Sequence, residues 1–409
     1  MLEFRLGAWE LFEQMAMPTT NDEAWRRTDL RRFRLNQLGP SLNGNGAAGD
    51  VPAYLGEQLT ENKAGGVMTQ VDGAVTLYEL SDELQAQGVI FCDMHRAVRE
   101  YGDLVRPHFM NECVPAGEGK FAALHGAFWR GGTFLYVPKN VQASAPLHSA
   151  LWSVKGRTFS HTLVVLDEGA EAILIDEYGS PTSQDMAIHN GAVELLVGDN
   201  ASLTYVSLQD FGLNTWQFTH ERGRVGRDGR LDWIIGAMGT RLTKSFQTAE
   251  LDRPGSWARM SGLFFANGRQ HFDLDTQQNH NAGSTVSDLL YKGGLKDNAR
   301  TVWQGMIKAL PGSQKIDGFQ ANRNLILDKT ARADSIPGLE IEADDVRCTH
   351  ASTVGQLDQN EVFYLMSRGI PRPVATEMVV QGFFDPVMQR IPFEGVRERI
   401  AGRILDKLH

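Results

Sequence analysis

Short apolar or alternating runs dominate the chain from Lys120 to about Leu357, and Gly, Asn and Asp residues separate them. Helical periodicity of any length is missing from this region, and a short strand recurs roughly every eight to twelve residues. The pattern predicts an all-β architecture, which a sandwich, a barrel or a β-helix would each satisfy. The runs that we assign to strands are Thr133–Val137, Thr162–Leu166, Glu171–Ile175, Ala192–Val197, Ser202–Leu208, Leu231–Met238, Gly262–Ala266, Asn322–Leu327, Pro337–Ile341 and Val346–Thr349.

Two features favour a parallel β-helix. The strand-rich region runs on without a clear boundary, which is long for one sandwich but natural for a solenoid that adds coils. A phrase of strand, acidic turn with Gly or Asn, and strand also recurs, as in VELLVGDNASLTYV and ILIDEYGSPTSQD. The repeat is loose and has no strict hexapeptide, so the pattern alone leaves the other architectures open.

The first part of the chain mixes predicted helices with short strands. A mixed apolar face over Leu2–Met15 predicts a helix, and Thr20 or Asn21 is suited to cap a second helix through Trp25. The stretch Leu38–Gly49 is rich in Gly and Asn and is typical of a linker.

A β-hairpin is predicted next, because Asp72 and Gly73 separate the apolar runs Val67–Val71 and Val75–Leu80. It is followed by a helix over Asp82–Gln87 with Ser81 as its cap, a strand over Val89–Phe91 and a helix over Asp93–Tyr101. These elements predict a small α/β region ahead of the strand-rich part.

The C-terminal part of the chain is predicted to be helical. Asp358 and Glu361 have the spacing of a capping box, and Gly369 ends the helix that they begin. A second helix over Val374–Phe384 is expected to stop before Pro386, because proline cannot continue the hydrogen bonding of a helix.

Two surface patterns each leave two interpretations open. The last helix carries an apolar stripe that consists of Val396, Ile400, Ile404 and Leu408. Such a stripe packs into a core, or it forms an exposed docking groove, because a small terminal bundle has little core of its own. The basic run Arg26–Arg27 with Arg31–Arg32 is either a solvated face or a docking patch for an acidic partner.

Composition and charge indicate an ordinary globular protein. Of the 409 residues, 42% are apolar and 22% are charged, and the net charge of −10 argues against general nucleic-acid binding. No apolar run is long enough to span a membrane, and the N-terminal sequence lacks the apolar core of a signal peptide. Three cysteines without CxxC spacing indicate a reducing compartment. We therefore expect a cytoplasmic protein that binds neither nucleic acid nor membrane.

A cysteine and a histidine lie where the strands give way to the C-terminal helices. Cys348 and His350 are two residues apart, so in a β-strand both side chains project to the same face. A thiol and an imidazole are possible ligands of soft metals and iron. The structural alternative is a buried cysteine beside a hydrogen-bonded core histidine. Cys92 and His95 have C-x-x-H spacing, but no second ligand pair lies near, and we interpret them as packing.

Three stretches of the chain carry a resemblance to a known family. They are NRNLILDKTARADSIPGLEIEADDVRCTHASTVGQLDQNEVFYLMSRGI, QGFFDPVMQRIP and, near the N-terminus, Glu23–Thr28 in the form E-x-W-R-x-T. These stretches resemble the SufB/SufD family, the scaffold proteins of the SUF iron–sulfur cluster assembly machinery. The chain length and the segment Cys348–His350 resemble the SufD branch more closely than the SufB branch. After the histidine the family commonly has Gly, Ala and Thr, whereas this chain has Ala351–Thr353 in the form Ala-Ser-Thr, which is a small change in side-chain volume.

The resemblance implies a mainly β fold, namely a right-handed parallel β-helix with helical N- and C-terminal parts. We accordingly expect an N-terminal helical and α/β region over residues 1–115, a β-helix core over 116–357 and a C-terminal helical domain over 358–409. The resemblance also implies a non-enzymatic scaffold. Such a subunit pairs with a SufB-type paralogue, binds a SufC-type ABC ATPase through its C-terminal helices and receives sulfur indirectly from a cysteine desulfurase system. Alone, it is expected to be able to form a homodimer.

An iron–sulfur cluster usually requires four thiolate ligands, some of which histidine can replace. This chain offers Cys348 and His350 as one pair, whereas Cys92 and Cys113 lie in a different region. We therefore expect no stably bound cluster, but a transient iron–sulfur cluster or iron at the interface with the SufB-type partner. The resemblance implies that His350, with Cys348 beside it, supplies the interface ligands. It also implies reduced flavin in the complex, although the sequence has no flavin-binding motif.

ATP hydrolysis is expected to belong to the partner, because the chain contains no G-x-x-x-x-G-K-[ST] motif. The ATPase-docking region of the family corresponds to the C-terminal helices, and aromatic residues and arginine are the types that anchor interfaces. The candidate partner-binding residues are Phe363, Tyr364, Leu365, Arg368, Phe383 and Phe384.

Two other functions remain open on the residues alone. A cytosolic β-helix enzyme acting on carbohydrate would place carboxylates in one groove, and His271, Asp273 and Asp275 alternate on one face of a strand. A polar solvent face would give the same alternation. A metal-storage or cupin-like protein would use His271 and His280, although the H-x-H spacing typical of such sites is absent.

Overall fold

The computed structural model of the chain describes residues 1–35 and 64–409. Its helices in these ranges are α1 (Leu2–Gln14), α2 (Asp82–Ala86), α3 (Met94–Glu100), α4 (Gly102–Val105), α5 (Lys120–Phe128), α6 (Gln359–Ser367), α7 (Arg372–Met388) and α8 (Glu394–Leu408). Its strands are β1 (Gly66–Val71), β2 (Ala74–Leu80), β3 (Ile90–Asp93), β4 (Thr133–Val137), β5 (Gln142–Trp152), β6 (Arg157–Thr158), β7 (His161–Leu166), β8 (Glu171–Gly179), β9 (Ala187–Val197), β10 (Ser202–Asp210), β11 (Thr215–Val225), β12 (Arg230–Ala237), β13 (Leu242–Leu251), β14 (Trp257–Ala266), β15 (His271–His280), β16 (Val286–Leu295), β17 (Arg300–Ala309), β18 (Ile316–Ile326), β19 (Arg332–Ile341) and β20 (Val346–Gln356).

The strands form two long sheets, and from β7 onward successive strands alternate between them. Sheet A has the order β2-β1-β5-β8-β10-β12-β14-β16-β18-β20, and sheet B has the order β19-β17-β15-β13-β11-β9-β7-β4-β3, with β6 beside β9. The pairs between successive coils are parallel, whereas β1–β2 and β3–β4 are antiparallel. The fold is a β-solenoid of about 8 turns with helices at both ends. The predicted parallel β-helix is therefore confirmed, and the sandwich and the barrel are excluded.

Each coil places its residues directly beside those of the coil before it. Lys244 of β13 pairs with Asp273 of β15, so residues 29 positions apart in the chain become neighbours. Paired residues of parallel strands point to the same face, and columns of like-facing side chains therefore run along the solenoid axis. The inward columns form the core, in which Tyr205, Trp233 and Trp303 are fully buried.

The N-terminal segment packs across the outer face of sheet B. Trp25 stacks on Phe121 of α5 with ring centroids 5.4 Å apart, and Phe121 stacks on Phe218 of β11 at 3.7 Å. Thr28 is buried and hydrogen-bonds Asp273 and the Nε2 atom of His271, which is 2.9 Å from its hydroxyl oxygen. The E-x-W-R-x-T segment is thus an anchor between the N-terminus and the solenoid.

Helices α7 and α8 cover the outer face of sheet A. The apolar stripe of α8 is buried at Val396, Ile400 and Ile404, and it packs with outward residues of the sheet such as Ile175 and Phe265. Of the two interpretations of this stripe, the core is therefore correct. Burial of this apolar surface is what holds the C-terminal helices to the solenoid.

Three local predictions are wrong. Helix α5 interrupts the region predicted to lack helices, and its small residues let it lie flat against β9 and β11. Glu23–Trp25 is a single 3₁₀ turn without a side-chain cap, because the packing of Trp25 ends it. Helix α7 continues through Pro386, since the burial of Phe384 and Val387 on either side outweighs the lost hydrogen bond.

Other local predictions are confirmed. Asp72 and Gly73 form the hairpin turn with φ values of 49° and 80°, and Ser81 caps α2 by accepting a hydrogen bond from the Leu84 amide. Asp358 caps α6 in the same way through the amide of Asn360. The predicted linker at residues 38–49 lies outside the described residues. The strands within residues 66–93 join the same two sheets as the β-helix.

Candidate functional site

The solenoid is open at its C-terminal end. Within the described residues, sheet A ends with β20 and sheet B ends with β19, so each of these strands has one unpaired edge. Inward-facing side chains of this last coil are uncovered: Leu339 and Val354 are 39% and 48% exposed. Their direct partners in the preceding coil, Ile307 and Asn324, are buried. The open end therefore presents core-type positions to solvent, which marks an interaction surface.

Cys348 and His350 lie on β20 and face the interior of this open end. Cys348 pairs with Gly318 and His350 pairs with Gln320, both of which are buried inward positions of β18. The two side chains therefore project side by side from the last coil; Cys348 is half-buried and His350 is exposed. The column that ends at His350 passes through Leu174, Tyr205, Trp233, Met260, Leu289 and Gln320.

The immediate surroundings of Cys348 are tight on one side and open on the other. A side chain at Gly318 would place its Cβ 3.5 Å from the Sγ atom of Cys348 and 3.3 Å from Nε2 of His280. Burial raises the pKa of the Cys348 thiol, which is therefore protonated at neutral pH. No group of three or more His, Cys, Asp or Glu side chains in residues 1–35 and 64–409 is arranged to hold a metal ion. The pair can supply two ligands of a shared site.

A second exposed surface lies on the C-terminal helices. Phe363 and Tyr364 of α6 are 70% and 58% exposed, and Arg368 lies over the Tyr364 ring with its Cζ atom 5.2 Å from the ring centroid. Leu365 is half-buried, and together with Tyr364 and Met378 of α7 it lines a groove of about 510 Å³. Exposed aromatic residues beside an arginine are typical of interface anchors.

The structure separates the other two predicted contact residues. Phe384 is 1% exposed and packs on Phe265 with ring centroids 6.3 Å apart, so it is removed from the candidate contact residues. The Cβ of a side chain at Gly294 would lie 3.1 Å from the Cζ atom of the Phe384 ring. Phe383 is half-buried beneath the Lys292 ammonium, whose Nζ atom is 4.7 Å from the ring centroid. The sequence could not distinguish the two neighbours, because helical rotation decides which ring meets the sheet.

The sequence pattern did not predict the exposure of several apolar side chains at these surfaces. They are Leu339, Ile341 and Val354 at the open end and Met366, Val374 and Met378 on α6 and α7. The alternating pattern of β19 and β20 is the same as in the buried coils. The only available signal was therefore the end of the strand-rich region.

Comparison with known proteins decides the family. A model described as the SufBD core domain of the SUF system for FeS cluster assembly matches residues 151–383. A model of the SufBD N-terminal region matches residues 1–148. The chain belongs to the SufBD family. The two matches divide the chain near residue 150, inside the run of parallel coils that starts with β1 and β5.

Relatives of the SufBD family align over nearly the whole chain. The iron–sulfur cluster assembly protein SufD of Bacillus subtilis is 33% identical over 410 residues, which cover 99% of this chain and 93% of that protein. An iron–sulfur cluster assembly SufBD family protein of Staphylococcus epidermidis is 31% identical over 96% of this chain and 86% of its own length. The resemblance stated from the sequence is confirmed.

The SufBD assignment leaves no support for a carbohydrate enzyme, and the geometry gives the reason. Asp273 is buried, and Nζ of the buried Lys244 lies 3.0 Å from its carboxylate and 2.8 Å from that of Asp275. Desolvation raises the pKa of Asp275 to about 6. These carboxylates hold a buried lysine and face no groove, so their role is structural.

The other histidines and cysteines that the sequence analysis considered as ligands are packed within the fold. His280 is buried, with its ring nitrogens 2.6 Å from the Thr285 hydroxyl and 2.9 Å from the Ser287 hydroxyl. It lies at the opposite end of β15 from His271, so the two do not form a metal site. Cys92 is buried, which raises its pKa to about 12, and His95 stacks on Trp129. Cys113 is also buried.

None of the helices that the structure describes combines the length and the apolar character needed to cross a bilayer.

Proposed function

We propose that the chain is a SufD-like, non-catalytic scaffold subunit of iron–sulfur cluster assembly that pairs with a SufB-type paralogue through the open end of its β-helix. The observation that carries the proposal is the uncovered inner face of the last coil, with Leu339, Ile341 and Val354 between 36% and 48% exposed. A second β-helix would bury these side chains and occupy the free edges of β19 and β20. A second copy of the chain would satisfy the same surfaces and form the homodimer.

Cys348 and His350 are the proposed ligands of this chain for a transient iron–sulfur cluster or iron at that interface. Both end inward columns at the open end, and both are ligand types for iron. The chain supplies two ligands, so the paralogue would supply the rest of a cluster's set. Ligation requires the thiolate of Cys348, and an arriving metal would displace its proton.

The groove between α6 and α7 is the proposed docking site for a SufC-type ABC ATPase, which would carry the ATP hydrolysis. Phe363 and Tyr364 supply exposed aromatic anchors, and Leu365, Arg368 and the half-buried Phe383 border them. Helix α6 starts shortly after β20 ends, so movement of the helix would act directly on the strand that carries the candidate ligands.

The remaining components act on the complex instead of on a site in this chain. Sulfur would arrive indirectly from a cysteine desulfurase system, and reduced flavin would serve as the electron source of the assembled complex. The three cysteines are free, which suits a reducing cytoplasm.

Coexpression of the chain with the SufB-type and SufC-type proteins of its own genome tests the paralogue interface. We expect the double variant Leu339→Asp/Val354→Asp to lose the paralogue on copurification, because two carboxylates would be buried unpaired. The matched control is Leu213→Asp, which changes another exposed leucine away from the open end. Retention of the paralogue by the double variant at unchanged melting temperature would refute this interface.

The ligand role of His350 needs a separate readout. We expect His350→Ala to leave the complex intact and to lower the iron and acid-labile sulfide recovered with it after reconstitution. His409→Ala, which removes another exposed histidine, is the control. An unchanged cluster yield in His350→Ala would reduce His350 to a structural residue.

A further inference from the structure

A small chamber of about 30 Å³ lies inside the solenoid, between the inward faces of the two sheets. Its walls come mainly from β10 and β12 of sheet A and from β9, β11 and β13 of sheet B. Every residue that lines it is buried. A cavity needs roughly 10–15 Å³ to hold one water molecule, so the chamber has room for one water or two.

Short side chains on the inward faces leave this chamber unfilled. On β10 the fully buried Tyr205 fills the core, whereas Ser207, the next inward residue, does not reach across it. On sheet B, Gly191, Thr219 and Ser245 lie side by side in one inward column, and all three are small. The gap therefore follows from residues of several coils that meet at one level of the solenoid.

The hydroxyl group of Ser207 opens into the chamber and lacks a partner. It makes no hydrogen bond within residues 1–35 and 64–409. Ser207 is 9% exposed, although its neighbours in the same inward column, Asp176 and Ile235, lie on either side of it. Because Ser207 faces the interior, this remaining surface borders the chamber that it lines. A buried hydroxyl group without a hydrogen bond is costly, which favours a ligand there.

The carboxyl group of Glu221 is the second polar group at the chamber, and the protein satisfies it only weakly. Gln247 donates to it at 3.2 Å and Ser245 at 3.4 Å, and both distances are longer than those of ordinary hydrogen bonds. Glu221 is 8% exposed although it lies on the inward face of β11. It therefore has capacity for a further hydrogen bond from inside the chamber.

The chemistry of the walls selects a small, neutral molecule that both donates and accepts hydrogen bonds. Glu221 and His189 are the only ionisable groups of the acidic and imidazole types that line the chamber, and the His189 ring nitrogens lie 2.8 Å from the Ser160 hydroxyl and 3.2 Å from the Gln217 amide nitrogen. One carboxyl group is too few for a calcium or magnesium site. A water molecule matches both the volume and the polar groups.

We propose that the chamber binds ordered water that bridges the Ser207 hydroxyl of sheet A and the Glu221 carboxyl group of sheet B. The water accepts a hydrogen bond from Ser207 and donates one to Glu221. It thereby joins the two sheets at a level where their side chains do not meet. The site is independent of the proposed function, because none of its residues lies on β19, β20 or α6.

Oxygen-17 magnetic relaxation dispersion of the full-length chain measures the number of water molecules that stay inside the protein. We expect Ser207→Val, whose methyl groups fill the chamber, to lower this number by about one per chain. Thr204→Val is the matched control. It replaces a hydroxyl group by a methyl group on the same strand, at a position that faces the opposite way, and it should leave the number unchanged.

Melting temperatures establish that both variants are folded. If Ser207→Val does not fold, a high-resolution crystal structure of the unmodified chain decides, and we expect it to show water within hydrogen-bond distance of Ser207 Oγ and of a Glu221 carboxyl oxygen. An empty chamber in that structure would overturn the proposal. The same holds if folded Ser207→Val keeps as many internal water molecules as the unmodified chain.

Discussion

The hydroxyl group of Thr28 donates a hydrogen bond to the carboxylate of Asp273, although the two residues are 245 positions apart in the chain. The bond ties the N-terminal segment to a buried charge network, because Asp273 also pairs with Lys244. The same hydroxyl accepts from His271, so one side chain satisfies two groups of β15.

Replacement of the Thr28 hydroxyl by a methyl group should therefore lower the free energy of unfolding substantially. We expect Thr28→Val to lower the free energy of unfolding by about 1–3 kcal/mol, because the Asp273 carboxylate loses one of its donors without access to water. Urea denaturation of the full chain measures the change. Thr20→Val, at an exposed position of the same segment, is the control and should differ little from the unmodified chain. Equal losses in both variants would contradict the anchoring role.

The three cysteines should differ sharply in their reactivity. We expect a maleimide reagent to modify Cys348 in the folded chain and to spare Cys92 and Cys113, which are buried. The rate at Cys348 should rise with pH and continue to rise above the ordinary thiol pKa, because burial raises the pKa of this group. Peptide mass spectrometry after timed labelling measures each site. Modification of Cys92 at a comparable rate without denaturant would contradict the structure.

Glu221 should make the stability of the solenoid depend on pH. It lies in the interior beside Gln247 and Ser245, and desolvation raises its pKa to about 7, above the ordinary value of 4.5. The folded state therefore binds this proton more tightly than the unfolded state. This contribution is fully present below pH 4.5 and is lost as the pH rises through about 7.

We expect Glu221→Gln to remove this dependence of the free energy of unfolding on pH. The variant should be more stable than the unmodified chain at pH 8 by about 1–3 kcal/mol. Urea unfolding at pH 5.5 and pH 8 measures the difference between the two curves. Glu3→Gln, at an exposed position of α1, should leave the pH dependence unchanged. A Glu221→Gln variant with the same pH dependence as the unmodified chain would be evidence against an ionising carboxylate in the core.

Pro386 is expected to lower the free energy of unfolding at its position. It lies inside α7 and offers no amide to the Gly382 carbonyl, yet Val387 beside it is fully buried. We expect Pro386→Ala to raise the free energy of unfolding by up to about 3 kcal/mol, since a helical hydrogen bond is restored. Thermal denaturation checks the sign. A lower melting temperature would mean that the proline fixes a bend on which the packing of Val387 depends.

Phe363 should matter for association and not for folding. It is exposed and contributes nothing to the packing of α6, whose buried anchor is Val362. We expect Phe363→Asp to leave the melting temperature unchanged and to abolish copurification of a SufC-type ATPase, while the paralogue still copurifies. Val154→Asp, an exposed apolar position on the solenoid, is the control. Full ATPase recovery with Phe363→Asp would relocate the docking site.

How far the sequence predicts this fold depends on where each residue's partners lie. The hairpin turn at Asp72–Gly73 and the cap at Ser81 were predictable because their causes lie within a few residues. Strand β15 was not among the assigned strands, although the alternation of His271, Asp273 and Asp275 fits one, because its buried positions include polar residues such as Asp273 and Thr276. The partners of Asp273 come from another coil and from the N-terminal segment. Helix α5 was missed because its residues are held by tertiary packing and carry no amphipathic pattern.

The candidate site was likewise predictable from the sequence only where the causes are local. The alternation of a strand was enough to predict that Cys348 and His350 share a face, which their register with β18 reproduces. That this face is the uncovered end of the solenoid depends on the absence of a following coil, which is a property of the whole fold. The burial of Phe384 next to the half-buried Phe383 depends on how α7 is rotated against the sheet, and no local pattern encodes that rotation.

The two ends of the solenoid are chemically different. At the N-terminal end, the antiparallel strands β2 and β3 finish the two sheets, whereas the parallel strands β19 and β20 finish them at the C-terminal end. A parallel coil of a second molecule can therefore continue the two sheets only at the C-terminal end. The proposed association through this end would occupy it in both molecules and would leave no equivalent parallel edge among the described strands for a third. Such pairing would stop growth at two molecules and would protect a chain of stacked parallel strands from fibre formation.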